Sequence, residues 1–334
     1  MKKIFIVTGT RADFGLLSEL IKKLKLKKFF DIKLLVCCMH MSKKFGNSIN
    51  EILNEKIKIN FFVNNLPKGE KDIDIINATA EGIIKFGKII NKEKPDAILL
   101  TGDRFEMLSV PISCINYNIP VVHIYGGAVT EGAIDELIRH SITKMSHFHF
   151  VATEQYKKRL LQMGEQKFRI KNIGVANLEN INKNLKSKKE LSIITTLDLN
   201  FETVVVTYHP VTLENEKLKF QINNLIMALK LLKCQVIFTF PNNDYGFSQI
   251  ISYITKFTNK NKKKYKIIKN ATADTYYSLL KECKIMIGNS SSGLVEASYL
   301  KIPSINIGTR QDGKIKPKNV IDSDYDFKSI IRAY

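Results

Sequence analysis

The stretch VVHIYGGAVTEGAIDELIRHSITKMSHFH, residues 121–149, decides the fold class of this chain. It begins as an apolar strand, breaks at a Gly-Gly pair, and runs through a polar loop into a helix whose first turn carries Asp135 and Glu136. In open α/β sheets, ligands bind where the carboxyl end of a strand turns into a helix. Arg139 and His140 follow the two acids, so Asp135, Glu136 and Arg139 are candidate substrate-binding or catalytic residues. The alternative is that the acids only complement the helix dipole.

The same alternation of strand, loop and helix repeats on both sides of this stretch. It predicts an α/β protein with parallel sheets and helices on both faces, arranged as two doubly wound Rossmann-like domains. A length of 334 residues also suits two domains. Composition shifts towards Asn and Lys over residues 179–201, which places the boundary near residue 185. We therefore expect an N-terminal domain, 1–185, and a C-terminal domain, 186–334, facing each other across a cleft.

Strand-exit loops of the first half carry polar groups and are expected to open on one edge of its sheet. In TGDRFE, residues 101–106, Asp103 and Glu106 are acid/base candidates and Arg104 is an anion partner. In GTRAD, residues 9–13, Arg11 is suited to clamp a diphosphate. The alternatives are structural: Asp103 would cap the next helix, and Arg11 would pair with Asp13.

In the second half, GNSSSGLVEA, residues 288–297, lies between a strand and a helix. Small residues let the backbone approach a ligand, and amides at a helix N-terminus attract phosphate. Ser290, Ser291 and Gly293 are therefore phosphate-loop candidates. Glu296, expected one turn into the helix, is placed to accept hydrogen bonds from ribose. The alternative is an ordinary serine N-cap. His209, at the exit of another strand, is expected to contact phosphate or shuttle a proton.

Composition excludes several classes of function. The net charge is +20, but only seven of the 52 basic residues are arginine, and the lysines are scattered. This favours an anionic small substrate and not nucleic acid. No apolar run approaches about 18 residues, so no membrane span is expected. The five cysteines lack metal or C-x-x-C spacing and lie in apolar runs, which predicts buried free thiols and no metal site in a cytoplasmic protein.

With these loops identified, the chain resembles the hydrolysing nucleotide-sugar 2-epimerases. That family includes the UDP-N-acetylglucosamine 2-epimerases of sialic acid synthesis and relatives that feed legionaminic acid synthesis. The matching stretches occur in family order across residues 4–321 and are TGTRADFGLL, LLTGDRFEML, HIYGGAVTEGAIDELIRHSITKMSHFHFVATE, QMGE, HPVTLE and IGNSSSGLVEASYLKIPSINIGTRQDGK.

The resemblance implies a glycosyltransferase-B-like fold, with the nucleotide held mainly by the C-terminal domain, and a homo-oligomer, either dimer or tetramer. It implies anti elimination of the nucleoside diphosphate and water addition to the glycal, without cofactor or metal. Asp103 and Glu136 then carry over as acid/base residues and His209 as a phosphate or catalytic contact. The nucleotide contacts that carry over are Arg11, Ser290, Ser291 and Glu296, with Arg310 of IGTRQDGK as a further nucleotide-side candidate.

Ala128 departs from the family pattern, which places an acid after the Gly-Gly pair. Either the enzyme manages without this acid, or Ala128 is an engineered inactivating change, or this copy is impaired. The rival interpretations are a glycosyltransferase or non-hydrolysing 2-epimerase of the same fold, and an inactive nucleotide-sugar-binding form. The sequence leaves open UDP or GDP as the nucleotide. It also leaves open N-acetylglucosamine or a 2,4-diacetamido-trideoxy sugar.

Overall fold

The chain forms two compact units, each built on one parallel sheet. A computed structural model describes residues 1–42, 48–176, 178, 181–242, 244–269 and 271–334. The first unit comprises Met1–Val129 and Ile134–Asn177, and the second comprises Thr130–Ala133 and Leu178–Tyr334. The prediction of two α/β units with parallel sheets is confirmed.

The first unit has a seven-stranded sheet in the order β3-β2-β1-β4-β5-β6-β7. Its strands are β1 (Lys2–Thr8), β2 (Phe30–Cys37), β3 (Ile59–Val63), β4 (Ala97–Thr101), β5 (Val121–Ile124), β6 (Phe148–Val151) and β7 (Ile170–Asn172). Its helices are α1 (Arg11–Lys25), α2 (Ile49–Asn54), α3 (Asp72–Glu93), α4 (Phe105–Ile115), α5 (Asp135–Lys144) and α6 (Glu154–Gln162).

The second unit has a six-stranded sheet in the order β10-β9-β8-β11-β12-β13. Its strands are β8 (Thr203–Thr207), β9 (Gln235–Thr239), β10 (Tyr265–Ile268), β11 (Ile285–Gly288), β12 (Ser304–Ile307) and β13 (Val320–Ser323). Its helices are α7 (Lys188–Thr195), α8 (Leu218–Leu231), α9 (Phe247–Asn259), α10 (Ala273–Glu282), α11 (Glu296–Tyr299) and α12 (Phe327–Ala333).

Each sheet is covered on both faces, which is why its central strands contain runs of consecutive apolar residues. In β1, Phe5 and Val7 pack into one buried cluster and Ile6 packs into another. In β8, Val204 and Val206 lie in one cluster and Val205 in another. Successive strand residues point to opposite faces, so both faces must be buried by helices. This layering leaves only the strand ends available for polar residues.

The helix that was predicted to follow the serine-rich loop begins later in the chain than expected. The loop first forms a 3-10 turn, Ser291–Gly293, and α11 begins only at Glu296. The Ser290 hydroxyl accepts a hydrogen bond from the Ser292 N–H at 3.3 Å. Such local side-chain bonds compete with α-helical pairing, which explains the tighter turn. Glu296 therefore lies at the first position of α11 and not one turn inside a helix.

Two features of composition have structural counterparts. All five cysteines are free and buried, which confirms the prediction of buried thiols. Among the helices that the structure describes, none is long and apolar enough to span a membrane.

Candidate functional site

Three neighbouring strands of the first sheet bring their polar exit loops together. The strands β1, β4 and β5 are adjacent and parallel, so their carboxyl ends lie at the same edge. The segments that leave them carry Arg11 and Asp13 in the first turn of α1, then Asp103 and Arg104 before α4, and then Ala128. The prediction that these loops share one edge is therefore confirmed.

Arg139 on α5 connects two of these loops. Its side chain is almost completely buried, and its Nε donates to Asp103 Oδ2 at 2.8 Å, with Nη2 contacting the same oxygen. Its Nη1 donates to the main-chain oxygen of Ala128 at 2.9 Å and to Glu136 Oε2 at 3.1 Å. Burial opposes the charged form, but the carboxylates of Asp103, Asp135 and Glu136 outweigh it and raise the pKa of Arg139. A permanent cation therefore holds both predicted acid/base residues.

The side chains of Asp103 and Glu136 are partly accessible to solvent, whereas that of Arg139 is buried. Their side chains are 30% and 24% exposed, whereas that of Arg139 is 2% exposed. The N-cap of α4 is Arg104 and not Asp103, which goes against the structural alternative for Asp103. Both acids do stand at the edge where a ligand of this fold class binds.

Glu136 has a second partner that the sequence did not identify. Its Oε1 lies 2.9 Å from Nε2 of His140, one turn further along α5. The i, i+4 spacing places both side chains on one helix face. Asp135 and Glu136 also occupy the first turn of α5, where carboxylates complement the helix dipole. Glu136 therefore lies in the first turn of α5 and also contacts Arg139.

Asp13, Arg104 and Glu106 form a more deeply buried group beside Gly102. Asp13 accepts a hydrogen bond from the Thr10 N–H at 3.0 Å, within the capping box of α1. Burial, followed by the nearby Glu106 carboxylate, raises the pKa of Asp13 to about 7. Glu106 is fully buried, and its Oε1 accepts from Arg104 Nε at 2.9 Å. Its burial gives Glu106 a role in orienting Arg104, in place of the acid/base role considered from the sequence.

A neutral histidine fixes the loop that carries Asp103. His123 on β5 donates from Nε2 to the main-chain oxygen of Gly102 at 3.0 Å, and its Nδ1 lies 3.2 Å from the Thr143 hydroxyl. Burial lowers the pKa of His123 to about 4, so the ring is uncharged near neutral pH. His123 therefore acts on the site through Gly102 and not as a titrating group.

The loop at Ala128 is held by its main chain. The Gly127 oxygen accepts from Arg159 Nη1 at 2.7 Å, and the Ala128 oxygen accepts from Arg139 Nη1. Gly127 has φ +84°, and a Cβ there would lie 2.6 Å from a methyl group of Leu160. Because these anchors use no side chain of residue 128, substitution there leaves them in place.

In the second unit, Asn289 brings three predicted residues together. The strands β8, β11 and β12 are neighbours, and their exits carry His209, Ser290 and Arg310. Asn289 is fully buried; its side-chain amide bonds to the main chain of His209, and its main-chain oxygen accepts from Arg310 Nη1 at 3.2 Å. No role was predicted for Asn289 from the sequence. The available signal was an amide directly after an apolar strand.

The serine-rich loop has a structural role that its contacts define. Ser290 caps the 3-10 turn, whereas α11 begins after Val295 without a side-chain cap. Ser291 is exposed, whereas a Cβ at Gly293 would lie 2.3 Å from the Ser304 hydroxyl. Gly293 is therefore required for packing against β12. Burial raises the pKa of Glu296, although its own N–H and the Ser292 hydroxyl act in the opposite direction.

The segment Thr130–Ala133 lies in the second unit although its chain neighbours belong to the first. Its Glu131 N–H donates to the main-chain oxygen of Asp312 at 2.9 Å. A Cβ at Gly132 would lie 2.6 Å from the main-chain oxygen of Thr309, so only glycine fits there without movement. The loop that follows Ala128 is thus packed beside the segment that carries Arg310.

Comparison with known proteins agrees with the resemblance seen in the sequence. Residues 22–334 match the sequence family described as UDP-N-acetylglucosamine 2-epimerase. The GDP/UDP-N,N'-diacetylbacillosamine 2-epimerase (hydrolyzing) of Campylobacter jejuni is 40% identical over 97% of this chain and 84% of that protein. The UDP-N,N'-diacetylbacillosamine 2-epimerase (hydrolyzing) of Legionella pneumophila is 34% identical over 99% of this chain and 87% of that protein.

Solved structures confirm the predicted glycosyltransferase-B-like fold. The UDP-GlcNAc 2-epimerase from Neisseria meningitidis, solved with UDP-GlcNAc bound, superposes with a TM-score of 0.81 at 18% identity. The match covers 99% of this chain and 90% of the other.

Proposed function

The chain belongs to the UDP-N-acetylglucosamine 2-epimerase family, and from this we propose that it is a hydrolysing nucleotide-sugar 2-epimerase. It eliminates the nucleoside diphosphate from a sugar with a 2-acetamido group and adds water to the glycal that results. The product is the free sugar with inverted configuration at C2, of the kind used in sialic or legionaminic acid synthesis. The names of the 40% and 34% identical relatives support the hydrolysing reaction.

The observation that carries this proposal is that the side chain of Arg139 binds two carboxylates. In the elimination, one carboxylate removes the C2 proton, the C–H electrons form the C1–C2 double bond, and the C1–O bond breaks towards the diphosphate. In the hydration, a carboxylic acid delivers a proton to C2, the water oxygen bonds to C1, and the proton that the water loses passes to the other carboxylate. Asp103 and Glu136 are the accessible carboxylates at this edge, and Arg139 holds both.

The residues of the second unit are proposed to hold the nucleotide. His209 and Arg310 lie on either side of Asn289, and Ser290 and Ser291 follow it directly. Hydrogen-bond donors grouped around a strand exit suit a diphosphate, whose charge increases as the C1–O bond breaks. Glu296 is proposed to accept from the ribose, and Arg11 of the first unit to contact the diphosphate.

We propose a UDP- or GDP-linked 2,4-diacetamido-trideoxy sugar as the preferred substrate, ahead of UDP-N-acetylglucosamine. The support is that the two relatives named above are both described as diacetylbacillosamine 2-epimerases. Proton NMR in D2O with each nucleotide sugar separates these substrates. The expected products are nucleoside diphosphate and a free sugar that carries deuterium at C2, because the returning proton comes from solvent.

Ala128 supports a second candidate function, a nucleotide-sugar binder without turnover. Its methyl group supplies no acid at the position where the family pattern places one. The decisive comparison is between the parent protein and Ala128→Glu, with Asp103→Asn as an inactive control that preserves size. Turnover by Ala128→Glu alone would mean that the parent is a disabled form. Binding without turnover by both would favour the binder, and no binding of UDP or GDP sugars by either would refute the proposed function.

We also propose a cellular compartment and an oligomeric state. The free and buried cysteines favour a reducing compartment, and we place the protein in the cytoplasm. A homo-oligomer is favoured by the apolar face of α3, where Ile73, Ile76 and Ile84 are 53%, 60% and 59% exposed. Light scattering of the purified protein should give the mass of a dimer or tetramer, and a monomer would contradict this proposal.

A further inference from the structure

Asn289 pairs with His209 in the way one strand pairs with its neighbour. The paired register of β11 and β8 ends at Gly288 and Thr207. Beyond that point, Asn289 Oδ1 accepts from the His209 N–H at 2.7 Å, and Asn289 Nδ2 donates to the His209 oxygen at 2.8 Å. The amide side chain therefore continues the ladder by one step and fixes the main chain of His209.

The same asparagine also fixes the segment after β12. Its main-chain oxygen accepts from Arg310 Nη1 at 3.2 Å and from Gln311 Nε2 at 2.7 Å. Asn289 is completely shielded from solvent, so water cannot replace these bonds in the folded protein. One residue thus sets the relative positions of three strand exits.

The ring of His209 is fixed by a separate contact. The main-chain N–H of Asn242 donates to His209 Nδ1 at 3.0 Å. A backbone N–H is always a donor, so Nδ1 must present its lone pair, and the neutral ring carries its hydrogen on Nε2. A second proton on Nδ1 would face the Asn242 N–H and break this bond. His209 is only 6% exposed, so solvent offers little compensation.

We propose that Asn289 is a positioning residue that holds His209 as a fixed Nε2–H donor to the diphosphate of the substrate. The inference rests on the proposed function, since it assumes a nucleoside diphosphate as ligand. It assigns the donor role to one tautomer and explains it by two contacts, the Asn289 amide and the Asn242 N–H. The fixed donor requires no reorganisation when charge develops on the leaving group.

The test is binding of UDP compared with binding of uridine, measured by calorimetry and by competition. The Asn289→Ser variant removes the pairing with His209, and Asn289→Asp is a second variant that keeps the acceptor oxygen but removes the Nδ2 donor. The matched control is Asn306→Ser. Asn306 is equally buried in the same sheet, at 2% exposure, and its Nδ2 donates to Asp322 at 2.7 Å. Circular dichroism establishes that each variant is folded.

Two substitutions of His209 test the donor itself. Glutamine can place an amide N–H near the position of Nε2, whereas phenylalanine keeps the ring without a donor. We expect both Asn289 variants and His209→Phe to lose about tenfold or more of the preference for UDP over uridine. His209→Gln should stay within about threefold of the parent, and Asn306→Ser should not change the preference.

The outcomes separate this inference from the function on which it rests. If the parent binds UDP, and a folded Asn289 variant prefers UDP over uridine as strongly as the parent, Asn289 is not a positioning residue for the diphosphate. If His209→Gln loses as much of the preference for UDP over uridine as His209→Phe does, the proposed role of His209 as a donor is wrong. If the parent binds neither UDP nor GDP, the proposed function itself is refuted, and this inference with it.

Discussion

The Asp13→Asn substitution should change the pH dependence of stability in the first unit. Asp13 is buried in the first turn of α1, and its pKa is raised from 3.8 to about 7 by burial and by Glu106. In the unfolded chain the same carboxyl ionises near its ordinary value. Between these two values, raising the pH removes the proton from the unfolded chain but not from the folded one. Asp13 therefore stabilises the folded state least at high pH.

The size of the effect follows from the difference between the two pKa values. Each unit of difference corresponds to about 1.4 kcal/mol, so the interval from 3.8 to about 7 gives about 4 kcal/mol in total. Part of this stability has already been lost at pH 5. Between pH 5 and pH 8.5, the stability of the parent should fall by about 3 kcal/mol relative to Asp13→Asn.

The buried thiols provide an assay that reports on each unit separately. Cys37 and Cys114 lie in the first unit, and Cys234 and Cys283 lie in the second. After equilibration in urea, a short pulse of a methanethiosulfonate reagent and peptide mass spectrometry give the unfolded fraction of each unit. The parent and Asp13→Asn are compared at several pH values, so other titrating groups cancel.

The matched control is Asp74→Asn, which changes an acid at the same position of another helix. Asp74 is the N3 residue of the capping box of α3 and accepts from the Lys71 N–H at 3.0 Å, as Asp13 does from Thr10, but it is only partly buried. This control should show no comparable pH dependence. A parallel pH dependence for the parent and Asp13→Asn would refute the argument, because it would mean that Asp13 ionises alike in both states.

Two further substitutions test the site and the second unit. The lysine of Arg139→Lys cannot reach Asp103 and the Ala128 oxygen together. Turnover in the NMR assay should therefore fall by about a hundredfold or more, with UDP binding retained. Unchanged turnover would show that the forked guanidinium of Arg139 is not needed. Gly288→Ala should destabilise the second unit by more than about 3 kcal/mol in urea, because its Cβ would lie 1.9 Å from the Thr207 oxygen. Gly164 has φ +86° but open space around it, so Gly164→Ala should lower the free energy of unfolding by only about 1–2 kcal/mol. An equal loss of stability in Gly164→Ala and Gly288→Ala would contradict the steric explanation.

Much of the fold could be predicted because its signal is local. Apolar runs such as those of β1 and β8 are hydrophobic at every position, and only a strand buried on both faces has that pattern. Their polar exits, at Arg11 and at His209, mark the edge where ligands bind. Short edge strands such as β7 and β13 were missed, because three or four half-exposed residues carry no such pattern. The delayed start of α11 was missed because a serine hydroxyl, and not periodicity, decides it.

The sequence by itself determined the α/β class and the family, and it singled out the strand edge and the acids Asp103 and Glu136 as candidates. Only the tertiary structure decided how these residues are used. It showed that Arg139 lies between both acids and that Asp13 and Glu106 are buried together. It also showed that Asn289 holds His209, which is 80 residues away in the chain. The physical reason is that hydrophobic periodicity is written in neighbouring residues. Hydrogen-bond partners, loss of hydration and the tautomer of a ring depend on which distant segments meet.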